Sequence, residues 1–166
     1  MQRRYFGGGD ALVLAAVIVS AVALDRAHAT EQTALMQDGV VRVRSTYSMP
    51  ETIERLKADI AAKGITFFTA VDQHRLAADA GIKLPPSTLL MFGNPGLGSH
   101  FITSNPDAGL DWPVRLLVRQ DDTGQVWASY TDFGWIARRH RINDREAQFK
   151  MASGVIASIT SSIAAK

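Results

Sequence analysis

The fold is decided by residues 114–131, which read VRLLVRQDDTGQVWASYT. Two runs of strand-forming side chains, 114–119 and 126–131, flank the residues DDTG at positions 121–124. Aspartate and glycine between two such runs are typical of a tight hairpin turn. The stretch therefore predicts two neighbouring antiparallel strands.

Upstream of this hairpin, strand and helix patterns alternate. Residues 40–44 and 65–71 are rich in β-branched and aromatic side chains, and residues 88–92 form a short apolar run, so each of the three predicts a strand. The sequence SMPE at 48–51 resembles a capping box with proline in the first turn, which predicts a helix over the following residues. Short helices are predicted over 74–80 and 99–104.

Downstream of the hairpin the periodicity is helical. Residues 133–140 predict a short helix, and the sequence NDRE at 143–146 has the pattern of a second capping box. The last helix is predicted from there, with Ala152, Val155 and Ile159 on one face.

The order of these elements predicts the fold class. A hairpin requires an antiparallel pair, which favours an α+β fold over a doubly wound sheet. We expect a two-layer sandwich, with a mixed or antiparallel sheet and helices on one face, in a single domain covering residues 30–166.

The first 29 residues have the pattern of a cleaved secretory signal peptide. Arg3 and Arg4 form a basic start, the 14 residues 11–24 are apolar except for Ser20, and Ala27-His28-Ala29 fits a cleavage site. The apolar run is shorter than the roughly 20 residues that span a bilayer, although an uncleaved anchor is the alternative. The pattern predicts a periplasmic or secreted bacterial protein with no membrane contact after cleavage.

Composition excludes several kinds of site. The chain has 166 residues and no cysteine, so it has no disulfide, cysteine-bound metal or thiol nucleophile. The formal net charge is +2, from 18 basic and 16 acidic residues. The leader holds three of those arginines and two of those aspartates, which leaves the domain near +1. So small an excess predicts no binding to nucleic acid.

Several segments together are characteristic of a known family. They are Tyr47-Ser48 with the helix that follows, LPPSTLLMFGNP at 84–95, DWPVRLLV at 111–118, GQVWASY at 124–130, and Arg139-His140. Over about residues 39–140 the chain resembles the bacterial family called domain of unknown function 302, and the run ending in Phe-Gly-Asn-Pro is the most specific part.

The resemblance implies a β-α-β(4)-α fold similar to that of the TATA-binding protein, and a homodimer. It implies no activity. The chain departs from the family pattern at Gln73, where the family often has Asp-His in sequence, and at Phe133, where it often has proline after the aspartate.

The loop at 93–99, GNPGLGS, is the best candidate for a ligand site. It follows a predicted central strand, and backbone N–H groups with a hydroxyl could bind an anion there, although glycine also simply permits a tight turn. Four aromatic residues could line a pocket, or could instead fill the core or a dimer interface: Trp112, Trp127, Tyr130 and Trp135. The predicted ligand-binding residues are Gly93, Asn94, Gly96, Gly98, Ser99 and Tyr130.

Three histidines of the predicted mature domain, His74, His100 and His140, are the candidates for a metal site. None is spaced from another as in a local metal motif. They could still converge in space with Asp72, Asp111 or Asp132.

No pattern in the chain is typical of a catalytic site. We therefore predict a non-enzymatic exported domain, without a cofactor, that binds a small ligand or associates with itself. The alternative is a metal-binding protein or an enzyme that uses histidine and aspartate.

Overall fold

The computed structural model describes residues 38–164 of the chain. The predicted leader, residues 1–29, lies outside the described residues, as do positions 30–37 of the predicted domain. No helix within the described part is both long and apolar enough to cross a membrane.

Five strands form one sheet in which every neighbouring pair is antiparallel. Their order across the sheet is β1-β5-β4-β3-β2. The strands are β1 (Val40–Arg44), β2 (Thr66–Asp72), β3 (Ser87–Gly93), β4 (Val114–Gln120) and β5 (Val126–Thr131). The hairpin predicted from residues 114–131 is confirmed as β4 and β5, which pair from Leu116 opposite Tyr130 to Gln120 opposite Val126.

Two long helices and several short ones connect and cover these strands. The helices are α1 (Met49–Ala62), α2 (Gln73–Asp79), α3 (Pro95–Ser104), a 3₁₀ helix (Pro106–Asp111), α4 (Phe133–Arg139) and α5 (Glu146–Ser161). With the short helices set aside, the order is β-α-β(4)-α, which confirms the predicted α+β class.

The core lies between one face of the sheet and the long helices. Leu90, Leu116 and Val118 on the central strands are fully buried, as are Leu56 and Ile60 on α1 and Ile159 on α5. Alternate side chains on the other face of the same strands, such as Leu89 and Leu117, are only half-buried. The period of two along the strands therefore separates a core face from an open face.

Two helix starts differ from the prediction. α3 begins at Pro95, four residues earlier than predicted, because the Asn94 side chain caps it by accepting from the Leu97 N–H at 3.1 Å. The second capping box is wrong: α5 begins at Glu146 and has no side-chain cap. Instead Asp144 accepts from the Ser104 hydroxyl, and Arg145 donates to the His100 carbonyl, so residues 144–145 are held to α3.

The β4–β5 turn is fixed by one carboxylate. Asp121 accepts from the Thr123 hydroxyl at 2.6 Å and from the Trp127 indole N–H at 2.8 Å. These hydrogen bonds lower the pKa of Asp121 from 3.8 to about 2, because they favour the charged form. The turn residues predicted from sequence are thus stabilised by a side chain within the turn itself.

Candidate functional site

A largely apolar cleft of about 420 Å³ lies where α3, α5 and the ends of β3 and β4 meet. Eleven of its 18 lining residues have apolar side chains. Its floor is part of the core, since Phe92, Phe101 and Ile156 are each at most 4% exposed. We call it the Trp112 cleft, because the indole of Trp112 forms one of its walls.

Trp112 is held in place by close packing against two glycines. A Cβ atom on Gly98 would lie 2.0 Å from the indole Nε1, and a Cβ atom on Gly93 would lie 3.0 Å from the same ring. The Phe68 ring packs edge-on to the indole, with ring centroids 5.8 Å apart. Gly93 and Gly98 of the predicted ligand loop thus allow the indole to lie directly against the backbone. Any side chain at these two positions would prevent that contact.

The predicted ligand-loop residues divide into two groups. Gly93, Asn94 and Gly98 line the Trp112 cleft, whereas Gly96 and Ser99 do not. The side-chain Oδ1 of Asn94 caps α3, and the Ser99 hydroxyl donates to the Pro95 carbonyl at 2.7 Å. Both polar groups therefore form hydrogen bonds within the first turn of α3.

The other predicted aromatic residues lie elsewhere. Tyr130 is buried on the core face of β5, and that burial raises the pKa of its hydroxyl. Trp127 bonds to the hairpin, and Trp135 packs on Gly39. Of the four aromatic candidates, only Trp112 lines the cleft.

The three histidines do not come together. His74 and His100 are exposed, and the His74 ring is bonded to the Leu84 carbonyl. His140 alone meets a carboxylate, that of Asp111. Among residues 38–164, no group of three or more histidine, aspartate or glutamate side chains could hold a metal ion.

Asp111 is the centre of a buried polar network. Its carboxylate accepts from His140 Nε2 at 2.6 Å, from Arg139 Nη1 at 3.0 Å and from Arg115 Nη2 at 3.0 Å. The Asp111 and His140 side chains are 4% and 5% exposed, whereas the side chains of both arginines are nearly half-exposed. The network joins the 3₁₀ helix to β4 and α4, and it fixes the residue directly before Trp112.

The chemistry of this network is that of a structural anchor. Both carboxylate oxygens are already engaged by cationic or ring N–H donors. Two neighbouring guanidiniums also repel a metal cation. We therefore assign the pair of Asp111 and His140 to positioning the Trp112 wall.

Sequence reasoning missed most of the cleft. Lys63, at the end of α1, and Lys150, Met151, Gly154 and Val155, on α5, were not predicted to line it. The only local signal for the α5 residues was a helical face at 152–159, which indicated core packing rather than a binding site.

Comparison with known proteins gives a family and a set of curated relatives. The sequence profile of the family described as domain of unknown function DUF302 matches residues 41–159. The chain is 40% identical over 108 residues to proteins named fluoride-specific ion channel FluC 1 in Brucella suis biovar 1 and FluC 2 in Brucella melitensis biotype 1. These matches cover 65% of this chain but only 42% and 40% of the two relatives.

A solved structure matches the fold. It is the crystal structure of an uncharacterized conserved DUF302 protein from Bacillus stearothermophilus, with a TM-score of 0.69 and 17% sequence identity. The match covers 75% of this chain and 98% of that one. At this identity the likeness establishes the fold alone. Together with the profile match over most of the chain, it confirms the resemblance found in the sequence, and the chain belongs to the DUF302 family.

Proposed function

We propose that this DUF302 domain binds a small, largely apolar molecule in the Trp112 cleft and acts as a binding protein rather than an enzyme. The observation that carries the proposal is the cleft itself: about 420 Å³, apolar, and floored by buried core side chains. Its volume falls in the range of small-molecule sites, roughly 300 to 1,000 Å³.

The side chains around the cleft favour binding over catalysis. Among residues 38–164, those that line it include no histidine, aspartate, glutamate or tyrosine. General acid–base chemistry most often relies on such groups. Lysine can also serve, but the two lysines of the lining, Lys63 and Lys150, are exposed to water. An apolar wall instead stabilises a bound molecule by removing its surface from water, at about 25 cal/mol for each Å².

Gly154 offers a direct test of the cleft. It lines the cleft within α5, and a Cβ atom there would meet no other atom within 4 Å. We expect Gly154→Phe to abolish binding of a neutral fluorescent probe, N-phenyl-1-naphthylamine, because the ring occupies the cleft. Binding is measured by fluorescence titration, and folding by circular dichroism.

Gly154→Ala is the matched control. It should retain probe binding and raise the free energy of unfolding by about 1 kcal/mol, because alanine is the better helix former. Unchanged probe binding in a folded Gly154→Phe variant would contradict the proposal, as would wild-type protein that fails to bind the probe.

We do not assign the channel activity named for the Brucella relatives to this chain. Their name records fluoride conduction, but this chain spans only about two fifths of their length. The identity that they share with it supports a related domain within those proteins and says nothing about the remaining three fifths.

Self-association is a second candidate, and the open face of the sheet favours it. In register across this face lie Val71, Leu89 and Leu117, all half-buried. Trp127 and several arginines flank them, and aromatic residues and arginine are enriched in protein interfaces. We propose that a homodimer forms through this face.

Sedimentation at micromolar concentration tests the dimer. Wild-type protein should sediment as a dimer and Leu117→Glu as a monomer, because the substitution places a charge within the apolar row. Ala157→Glu, which adds the same charge at an exposed position on α5, should remain a dimer. A wild-type monomer would contradict the assignment.

We also propose that the domain acts outside the cytoplasm of a bacterium. Support comes only from the basic, apolar and Ala-His-Ala segments of residues 1–29. Export stays a prediction, and it places the ligand in the periplasm or the medium.

A further inference from the structure

We propose that the ligand of the Trp112 cleft is a single-chain amphiphile with an anionic head group, such as a fatty-acid carboxylate. This inference rests on the proposed binding function and names the class of ligand. It follows from a difference within the cleft. Charged and hydrogen-bonding groups lie at the rim, whereas the floor is apolar.

Positive charge is concentrated at the cleft. Lys63 and Lys150 both line it, and among the described residues no carboxylate does. Both lysines are exposed, so they stand at the rim rather than the floor. Lys63 is ion-paired with Asp59 at 2.9 Å, whereas Lys150 has no ion-pair partner within residues 38–164. The rim therefore offers at least one ammonium group to an anion.

The remaining polar side chains at the cleft can also donate hydrogen bonds to an acceptor on the ligand. Asn94 already accepts a hydrogen bond from the Leu97 N–H, which leaves its amide N–H groups to donate. Ser158, the fourth polar residue of the lining, carries a hydroxyl that can donate. Donors together with cations favour a carboxylate, sulfate or phosphate over a cationic head group.

The floor favours a hydrocarbon. Phe92, Phe101 and Ile156 are almost fully buried, and the Trp112 indole and Val155 continue the apolar surface towards the rim. A compact polar anion would leave this surface unfilled, and a hydrocarbon without a head group would leave the lysines unused. A molecule with an apolar tail and an anionic head satisfies both parts of the cleft.

Three ligands, each built on a straight ten-carbon chain and differing in the head group, separate the possibilities. Decanoate, decanol and decyltrimethylammonium are each titrated against protein carrying bound N-phenyl-1-naphthylamine, and displacement is followed by fluorescence. The probe is neutral, so its own binding does not report the charge of the rim. We expect decanoate to displace the probe at lower concentration than decyltrimethylammonium.

Lys150→Glu provides the decisive comparison. It should weaken decanoate binding about fivefold, strengthen binding of decyltrimethylammonium, and leave decanol unchanged, because only the charge at the rim is altered. Lys57→Glu makes the same change on α1 at a residue that does not line the cleft, and it should alter none of the three affinities.

The outcomes separate this inference from the proposed function. If decanol binds and Lys150→Glu affects no ligand, the anionic head group is refuted while the apolar binding site stands. If none of the three ligands displaces the bound probe, this inference is refuted while binding of the probe still supports the proposed function. If the probe itself does not bind, the proposed function fails and this inference fails with it.

Discussion

Replacing Asp111 with alanine is expected to lower the free energy of unfolding by about 3 kcal/mol. The Asp111 side chain is 4% exposed and accepts hydrogen bonds from His140, Arg139 and Arg115. Removing one member of a buried ionic network costs about 3 to 5 kcal/mol, because the partners lose their counter-charge without regaining water. We take the lower end, since the side chains of both arginines are partly exposed to water.

Urea denaturation of wild-type and variant protein measures this loss. Asp144→Asn is the control: Asp144 is bonded to Arg145 and Ser104, but its side chain is 55% exposed. An exposed pair contributes at most about 1 kcal/mol. If Asp111→Ala costs no more than Asp144→Asn, the network does not anchor the 3₁₀ helix as described.

The Asp111 variant should also affect the cleft. Asp111 directly precedes Trp112, so loss of the network releases one end of the segment that carries the indole. We expect weaker binding of N-phenyl-1-naphthylamine by the folded variant, under conditions where circular dichroism confirms native structure.

Gly98→Ala is expected to destabilise the protein by about 2 kcal/mol. The added methyl group would lie 2.0 Å from the Trp112 Nε1 atom and 2.1 Å from Cε2, so either the indole or the start of α3 must move. Overpacking of this kind typically costs about 1 to 3 kcal/mol. Displacement of the indole would also disturb the wall of the cleft.

Gly154→Ala is again the matched comparison, because it is the same substitution in another helix. There the methyl group meets open space, and the sign of the effect should be opposite. Thermal or urea unfolding of the two variants gives both values. If Gly98→Ala is as stabilising as Gly154→Ala, Trp112 does not pack against α3 as described.

A double-mutant cycle attributes the cost to the indole. When Gly98→Ala is combined with Trp112→Leu, the loss should be smaller than the sum of the two single losses, because the clash is then absent. Simple additivity would place the cost of Gly98→Ala elsewhere.

The sheet could be predicted because its signals are local. The alternation in Val114–Gln120 and Val126–Thr131 and the intervening DDTG turn lie within 18 consecutive residues, and the structure confirms them. The start of α3 also has a local signal, although the prediction placed it four residues too late. Asn94 is a favourable N-cap, and Pro95 occupies the first helical position. The glycines after it obscured that signal.

The candidate site could be predicted only in part, because its contacts span long stretches of sequence. Asp111 and His140 are 29 residues apart, and no local spacing distinguishes Asp111 from Asp72 or Asp132 as the partner of that histidine. The sequence around Gly98 indicates a turn residue, whereas in the structure the missing side chain leaves the space that the Trp112 indole occupies. Lys150 lines the cleft only because of the way α5 packs beside α3, and no sequence motif indicates that packing.

The central claim is that the Trp112 cleft binds a ligand, and the three tryptophan side chains can test it within one sample. The neutral probe N-phenyl-1-naphthylamine is titrated into ¹⁵N-labelled protein, and the three indole N–H resonances are followed by NMR. We expect a saturable shift of the Trp112 resonance, with little change for Trp127, which is bonded to Asp121, or Trp135, which packs on Gly39. A Trp112 resonance that stays in place throughout the titration would contradict it.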